Sequence, residues 1–337
     1  MNNVILNIGP RYYKDNSSTG GIVVLFENWV EFCENSSIRQ LIIDTNKGNY
    51  LNTLWAYISI LCQFFYKIFK SDVIFFNGTA NDYLYISPIV VFVGKLFGKK
   101  VVLRKFAGNF DVIYSKYSCV KKRVINYALT YSDINFWETK HLVDFGRSFN
   151  ENTYWFPNVR RKITVHKKNA EYKHRFVFIS QVRQEKGVEE LIQAFKQLDD
   201  TYNLDIYGPL MGYDKQVLES TNYHYKGILK AHEVCDVIKQ YDCLILPSYR
   251  EGYPGVIIES FSVAVPVIST TVGGIPEIVT DGYNGFLVEP KNVEQLISAI
   301  KKLDNVDYQT LSRNALSSFE NFDADIVNKR VWSIITV

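Results

Sequence analysis

Residues 250–279 read REGYPGVIIESFSVAVPVISTTVGGIPEIV, and the fold follows from how this run begins. It comes directly after Cys243-Leu246, CLIL, closed by Pro247 and Ser248. Four apolar residues ended by turn formers predict a buried strand, which puts Glu251, Gly252 and Tyr253 on the loop at its C-terminal end. In open parallel sheets that edge is where ligands bind. Pro254 has a preset φ and lacks only an N–H that a helix's first turn leaves unpaired, so a helix is expected from about Pro254 to Val263 with Pro254 in its first position. Such a helix aims unpaired amides and a partial positive charge at the loop. Gly252, Tyr253, Pro254, Gly255 and Val256 form the turn before those amides, and the two glycines place no side chain in the way of a phosphate. Glu251 lies before the helix and Glu259 within it, so the two carboxylates need not do one job. A carboxylate accepts paired hydrogen bonds from a vicinal diol such as a ribose or a hexose, each worth roughly 1.5–3 kcal/mol.

Outward from this run, short apolar segments alternate with helix-length ones. Val4 to Ile8, Gln40 to Asp44, Asp72 to Phe76, Lys100 to Arg104 and Asp133 to Trp137 form one series of expected strands. A second series comprises Phe176 to Ser180, Asn203 to Tyr207, His224 to Lys226, Cys243 to Leu246 and Val267 to Ser269. The alternation predicts parallel sheets with helices on both faces, an α/β architecture of two doubly wound domains. Between the series lies a basic, polar stretch from Arg160 to His174. It reads as a linker over 161–174, between an N-terminal domain over 1–160 and a C-terminal domain over 175–321, with a final helix over 322–337. A chain of 337 residues, 47% of them apolar, is long enough for two cores.

The net charge is only +3, but it is unevenly spread. Residues 1–168 hold 22 Lys and Arg against 12 Asp and Glu, and the remainder holds 16 against 23. The N-terminal half therefore suits an anionic partner. No zinc-finger spacing, RNP motif or basic heptad region is present, so nucleic acid is not expected and a lipid headgroup or lipid diphosphate fits better. LNTLWAYISILCQFFYKIFK, Leu51 to Lys70, and SKYSCVKKRVINYAL, Ser115 to Leu129, set aromatic residues beside lysines, as interfacial binding to an anionic membrane surface does. Apolar stretches reach from Leu54 to Tyr66 and from Tyr83 to Phe97, short of a spanning helix. The first residues carry no basic flank or cleavage site and read as a first strand. The expected location is thus cytoplasmic, with peripheral contact at the inner face of the plasma membrane. The five cysteines are odd in number and lack C-x-x-C spacing, so all five are expected to be small buried apolar residues in a reducing compartment.

Some fifty residues from Tyr241 to Pro290 resemble the signature of retaining glycosyltransferases of family 4. The matching pieces are Pro247-Ser248, the E-x7-E pair Glu251 and Glu259, Pro266-Val267-Ile268, Gly273-Gly274-Ile275-Pro276-Glu277, Asp281-Gly282, Asn284-Gly285 and Leu287-Val288. The resemblance implies the GT-B fold, two Rossmann-like domains facing across a cleft, with the last helix crossing back to the first domain. It also implies a nucleoside-diphosphate sugar as donor, held by the C-terminal domain, and no metal or other cofactor. Glu259 would take the ribose, and Glu251 would stand beside the donor sugar. Gly208, after the strand Asn203 to Tyr207, belongs with the donor-binding residues.

A lysine at a strand-to-helix turn, Lys186 in Gln184-Glu185-Lys186-Gly187, can neutralise a departing diphosphate. Where the family has Gly-Arg-Leu and then Lys-Gly, Lys186 and Gly187 match, while the family's arginine falls on Gln181 and its glycine on Ser180. Glutamine donates hydrogen bonds but carries no charge, which leaves Arg183 to restore the second cation. Gly20 and Gly21, between the first strand and first helix, resemble the family's Gly-Gly loop and would approach a phosphate or the acceptor. The family's histidine at the end of a first-domain strand has no counterpart in Val101 to Asn109, where Arg104, Lys105 and Asn109 are the substitutes by position. His141 reads as an exposed helical residue. Asp323-Ala324-Asp325 spells D-x-D, but acids at a helix start are ordinary and no metal is expected there. No G-x-G-x-x-G with a following acid supports a nicotinamide enzyme.

These readings predict a hexosyltransferase acting on a saccharide or lipid-diphosphate-linked oligosaccharide acceptor in bacterial surface polysaccharide synthesis, of the O-antigen, lipopolysaccharide or capsule type. The alternatives are a catalytically silent GT-B subunit partnering another transferase, and a nucleotide-sugar epimerase or phosphorylase on the same fold.

Overall fold

The computed structural model describes residues 3–13, 21–106, 108–163 and 171–337. The chain divides into two units, one made of Met1–Val159 with Ala324–Val337 and the other of Arg160–Asp323.

In the first unit, β1 (Ile5–Gly9), β2 (Gln40–Asp44), β3 (Val73–Gly78), β4 (Lys100–Lys105), β5 (Ile134–Trp137) and β6 (Thr153–Trp155) form one sheet in the order β2-β1-β3-β4-β5-β6. All its ladders are parallel, with Ile5 opposite both Gln40 and Val73. Continuous apolar runs such as β3, buried at every residue, are what a sheet covered on both faces requires. Helices Thr53–Lys67, Ser87–Leu96, Cys119–Tyr131 and Lys140–Arg147 cover one face, over Leu6, Ile74, Phe76 and Leu103. Helices Gly21–Asn35 and Ala324–Thr336 cover the other, where Trp29, Val327, Val331 and Ile335 meet Ile5, Phe75 and Phe136. Trp29 buries its indole and donates its Nε1–H to Asn7 Oδ1 at 2.9 Å, so the one polar atom of that ring is satisfied.

The second unit repeats the plan with β7 (Arg175–Ile179), β8 (Asn203–Tyr207), β9 (Tyr223–Gly227), β10 (Cys243–Leu246), β11 (Val267–Thr270) and β12 (Gly285–Val288), in the order β12-β11-β10-β7-β8-β9 and again parallel. Two strands, β6 and β12, go beyond those expected from the sequence.

The described ends of the stretch expected to be a linker pack within the second unit. Ile163 packs against Val263 and Val265, and the Tyr172 ring stacks on Tyr308 at 5.4 Å. Residues 164–170 lie outside the described residues. Arg160 N donates to Phe322 O at 3.0 Å, so the segments that open and close this unit run side by side. Cys33 and Cys243 are buried as expected, whereas Cys62 and Cys119 are exposed, on the outer faces of their helices. Among the described residues no helix is long and apolar enough to cross a membrane.

Candidate active site

The chain runs outward from β7 through β8 to β9, then returns to place β10 on the other flank of β7. The neighbouring strands β7 and β10 therefore mark the topological switch point, the edge at which open parallel sheets ordinarily bind ligands. Lys186 closes the short 3₁₀ turn Gln184–Lys186 after β7, and Glu251 lies on the loop after β10. They meet there, Lys186 Nζ to Glu251 Oε1 at 2.6 Å, with side chains only 14% and 10% exposed. Ser248 Oγ donates to the same carboxylate oxygen at 2.7 Å.

The two loops are held to one another by backbone as well. Tyr249 N donates to Glu185 O at 2.9 Å, and Tyr249 Oη donates to Glu190 at 2.6 Å. Gly187 has φ +73°, and a Cβ there would lie 2.0 Å from Pro247 O. Only glycine fits this position, so the lysine and the glutamate are aligned by a glycine that lets their loops touch.

The helix that follows spans Gly255–Ser262, one residue shorter at each end than expected. Pro254 is its cap, in extended conformation at φ −70° and ψ 116°, and not its first helical residue. Gly255 does lack a side chain for a reason, but the space is filled from within the protein. A Cβ on Gly255 would fall 1.8 Å from Arg160 Nη2. The same guanidinium is anchored one turn on, Arg160 Nε donating to Glu259 Oε1 at 2.6 Å, with the two side chains 16% and 20% exposed. Nearby Cys235 has its thiol pushed up to about 11, by burial first and then by the charge of Glu259.

Gly252 O accepts from Gly274 N at 2.8 Å, and Gly273, at φ +57°, would put a Cβ 2.0 Å from Glu251 O. The Gly-Gly-Ile-Pro-Glu loop thus lies directly on the loop carrying Glu251. Tyr253 is buried with its ring 6.1 Å from Phe322, and Val256 packs with Val263 and Val265. Gly208 has φ +137° and would place a Cβ 1.8 Å from Ser180 O, so its backbone is demanded by the β7 loop beside it. Gln181 is exposed, and Arg183 turns toward Glu185, Nε to Oε2 3.7 Å.

In the first unit the switch point is between β1 and β3. A pocket of about 490 Å³ opens there, lined among others by Gly21, Lys47, Thr79 and Asp82. Lys47 Nζ stands 3.3 Å from Asp82 Oδ1. Gly21 is the exposed first residue of its helix, and Gly20 lies outside the described residues.

Arg104 and Lys105, the substitutes by position for the family's histidine, lie at the end of β4. Both are fully buried. The Arg104 guanidinium lies 3.4 Å from the centroid of Phe156, and Lys105 Nζ donates to Phe106 O and lies over the ring of Phe110. Burial pulls the pKa of both down, that of Lys105 to about 8, against the opposing charge of Glu138. Asn109 is half-buried, and its carbonyl accepts from Ile113 N at 3.2 Å. His141 is exposed, 3.0 Å from Asp111. Asp323 and Asp325 flank the start of the last helix.

The sequence points to Lys186 and Glu251 as one site but not to Arg160, which it places at the end of the N-terminal domain and which the structure brings to Glu259. Residues 159–315 match the family model described as glycosyl transferases group 1, just under half of the chain. The chain is 33% identical over 129 residues to a putative teichuronic acid biosynthesis glycosyltransferase of Bacillus subtilis, a stretch covering 38% of this chain and 32% of that protein. It is 25% identical over 171 residues to the N,N'-diacetylbacillosaminyl-diphospho-undecaprenol alpha-1,3-N-acetylgalactosaminyltransferase of Campylobacter jejuni, covering 48% of this chain and 44% of the relative. The matched stretch thus spans less than half the length of either relative. Among solved structures, Anabaena HepE in complex with UDP superposes with a TM-score of 0.71 at 15% identity, covering 98% of this chain and 99% of that one. The fold is therefore GT-B, as expected from the sequence.

Proposed function

We propose that the chain is a retaining, metal-independent glycosyltransferase that takes a sugar from a nucleoside diphosphate and needs no other cofactor. The observation that carries this reading is the Lys186–Glu251 pair at the β7/β10 switch point, beside the start of the helix Gly255–Ser262. A lysine and helix amides at one sheet edge offer positive charge to a departing diphosphate, and such preorganised charge is a large part of catalysis. Glu251 serves the donor sugar and Glu259 the ribose. Breaking the anomeric C–O bond leaves its electron pair on the diphosphate. The acceptor oxygen attacks from the same face and gives its proton to a diphosphate oxygen, so no protein base is required.

The acceptor is a lipid-diphosphate-linked saccharide of bacterial surface polysaccharide synthesis, presented to the first unit at an anionic membrane face. The pocket at the β1/β3 switch point supports an acceptor there, and the relatives' names support the polysaccharide assignment.

Calorimetry with UDP, GDP, ADP, dTDP and NAD in the presence of EDTA tests the donor side. One nucleoside diphosphate is expected to bind at micromolar affinity and to be weakened in Glu259→Ala. Glu251→Ala, still folded, is expected to lose turnover; unchanged activity in cells would end the enzymatic reading, and binding of NAD alone would end the donor assignment.

A further inference from the structure

Resting on that donor-site reading, we propose that Arg160 supplies the second positive charge to the diphosphate, the one Gln181 lacks. The site as built from motifs holds a single well-placed cation, Lys186, because Gln181 is neutral and Arg183 turns toward Glu185. The structure brings another from the start of the second unit. The Arg160 guanidinium lies over the Cα of Gly255, the first residue of the helix, close enough that any side chain there would collide with Nη2. Glu259 grips Nε at 2.6 Å and sets the plane of the group.

The two carboxylates are thus each paired with a cation, Glu251 with Lys186 and Glu259 with Arg160. An anion drawn to that helix start meets the amides and the Nη edge of Arg160 together. A planar guanidinium presents paired donors to phosphate oxygens, which lysine does not. The arrangement also assigns Glu259 two tasks: its carboxylate anchors Arg160 and still has oxygen capacity for a ribose hydroxyl.

The experiment compares one nucleoside with its mono- and diphosphate, using whichever base the unmodified protein binds, by calorimetry at two salt concentrations. Arg160→Gln is expected to weaken the diphosphate about 10- to 100-fold and the nucleoside, which feels only the loss of the contact to Glu259, several-fold less, and to flatten the salt dependence. Arg160→Lys keeps the charge without the fork and should recover part of the loss. Gly255→Ala, which leaves the arginine in the chain but expels its guanidinium, should reproduce the Arg160→Gln result. Melting curves establish that each variant is folded. Equal loss for nucleoside and diphosphate would show that Arg160 acts only through Glu259 on the ribose, and would overturn the proposal. No loss in either Arg160→Gln or Gly255→Ala would overturn it as well. If the unmodified protein binds no nucleoside diphosphate, the donor site itself falls and the proposal with it.

Discussion

At the residue scale, the buried cations of the first unit make a prediction of their own. Lys105 is wholly enclosed by protein, and burial lowers its pKa to about 8, with Glu138 and Asp82 pulling the other way. An unfolded lysine titrates near 10.4. Between about pH 8 and 10.4 the unfolded chain therefore binds more protons at this site than the folded one, so this lysine makes stability rise with pH across that window. Below pH 8 its contribution is constant. Lys105→Met should flatten the rise. The difference between the two proteins' denaturation midpoints, measured from pH 7 to 10.5, isolates the effect; parallel curves would show that the charge is compensated. This burial was not legible in the sequence. Lysine and arginine at the end of a strand carry no mark of it, and only the packing of Phe106, Phe110 and Phe156 around them shows it.

At the scale of elements, the loops carrying Lys186 and Glu251 depend on glycines that serve backbone contacts. Gly187→Ala would combine a left-handed φ, costing about 1–2 kcal/mol, with a methyl driven into Pro247 O. We expect a drop of at least about 1–2 kcal/mol in chemical denaturation and a larger loss of turnover, since the loops carrying Lys186 and Glu251 must separate. Full activity with unchanged stability would mean that the loops are not locked by this contact. The strands were legible because parallel strands covered on both faces must be continuously apolar, as VIFF and CLIL are. β6 escaped because three residues, Thr153–Trp155, carry too little pattern. Lys186 and Glu251 were legible because each follows a readable strand directly. Arg160 was not, because it reaches Glu259 across 99 residues of sequence, and no local spacing encodes that meeting.

At the scale of the whole molecule, charge and apolar surface are distributed together. The three helices Thr53–Lys67, Ser87–Leu96 and Cys119–Tyr131, on one face of the first sheet, contain no Asp or Glu. Their outer surface, with the turn after the first of them, exposes Trp55, Phe69, Phe92 and Leu96 beside Lys70. Phe69 and Phe97 touch edge to face at 4.9 Å, joining two of the three into one patch. Helices that combine exposed aromatic residues with lysines and carry no acid of their own suit an anionic lipid surface. Flotation with phosphatidylglycerol vesicles should recover the protein in a salt-sensitive way, and Trp55→Ala with Phe69→Ala should reduce recovery about tenfold or more, each side chain contributing of order 1 kcal/mol. Equal recovery with phosphatidylcholine vesicles, or none with either, would remove the membrane from the account.

The side-by-side course of Arg160 and Asp323 has a consequence for synthesis on the ribosome. Residues 160–323 are a cassette inserted into a discontinuous domain, opening and closing at one place. Domains made first ordinarily fold first. Here the earlier-made domain must wait: the apolar surface around Trp29 and Phe75 stays bare until the segment from Ala324 onward has been translated. The inserted cassette, complete by then, is thus positioned to finish folding before the domain that surrounds it in sequence.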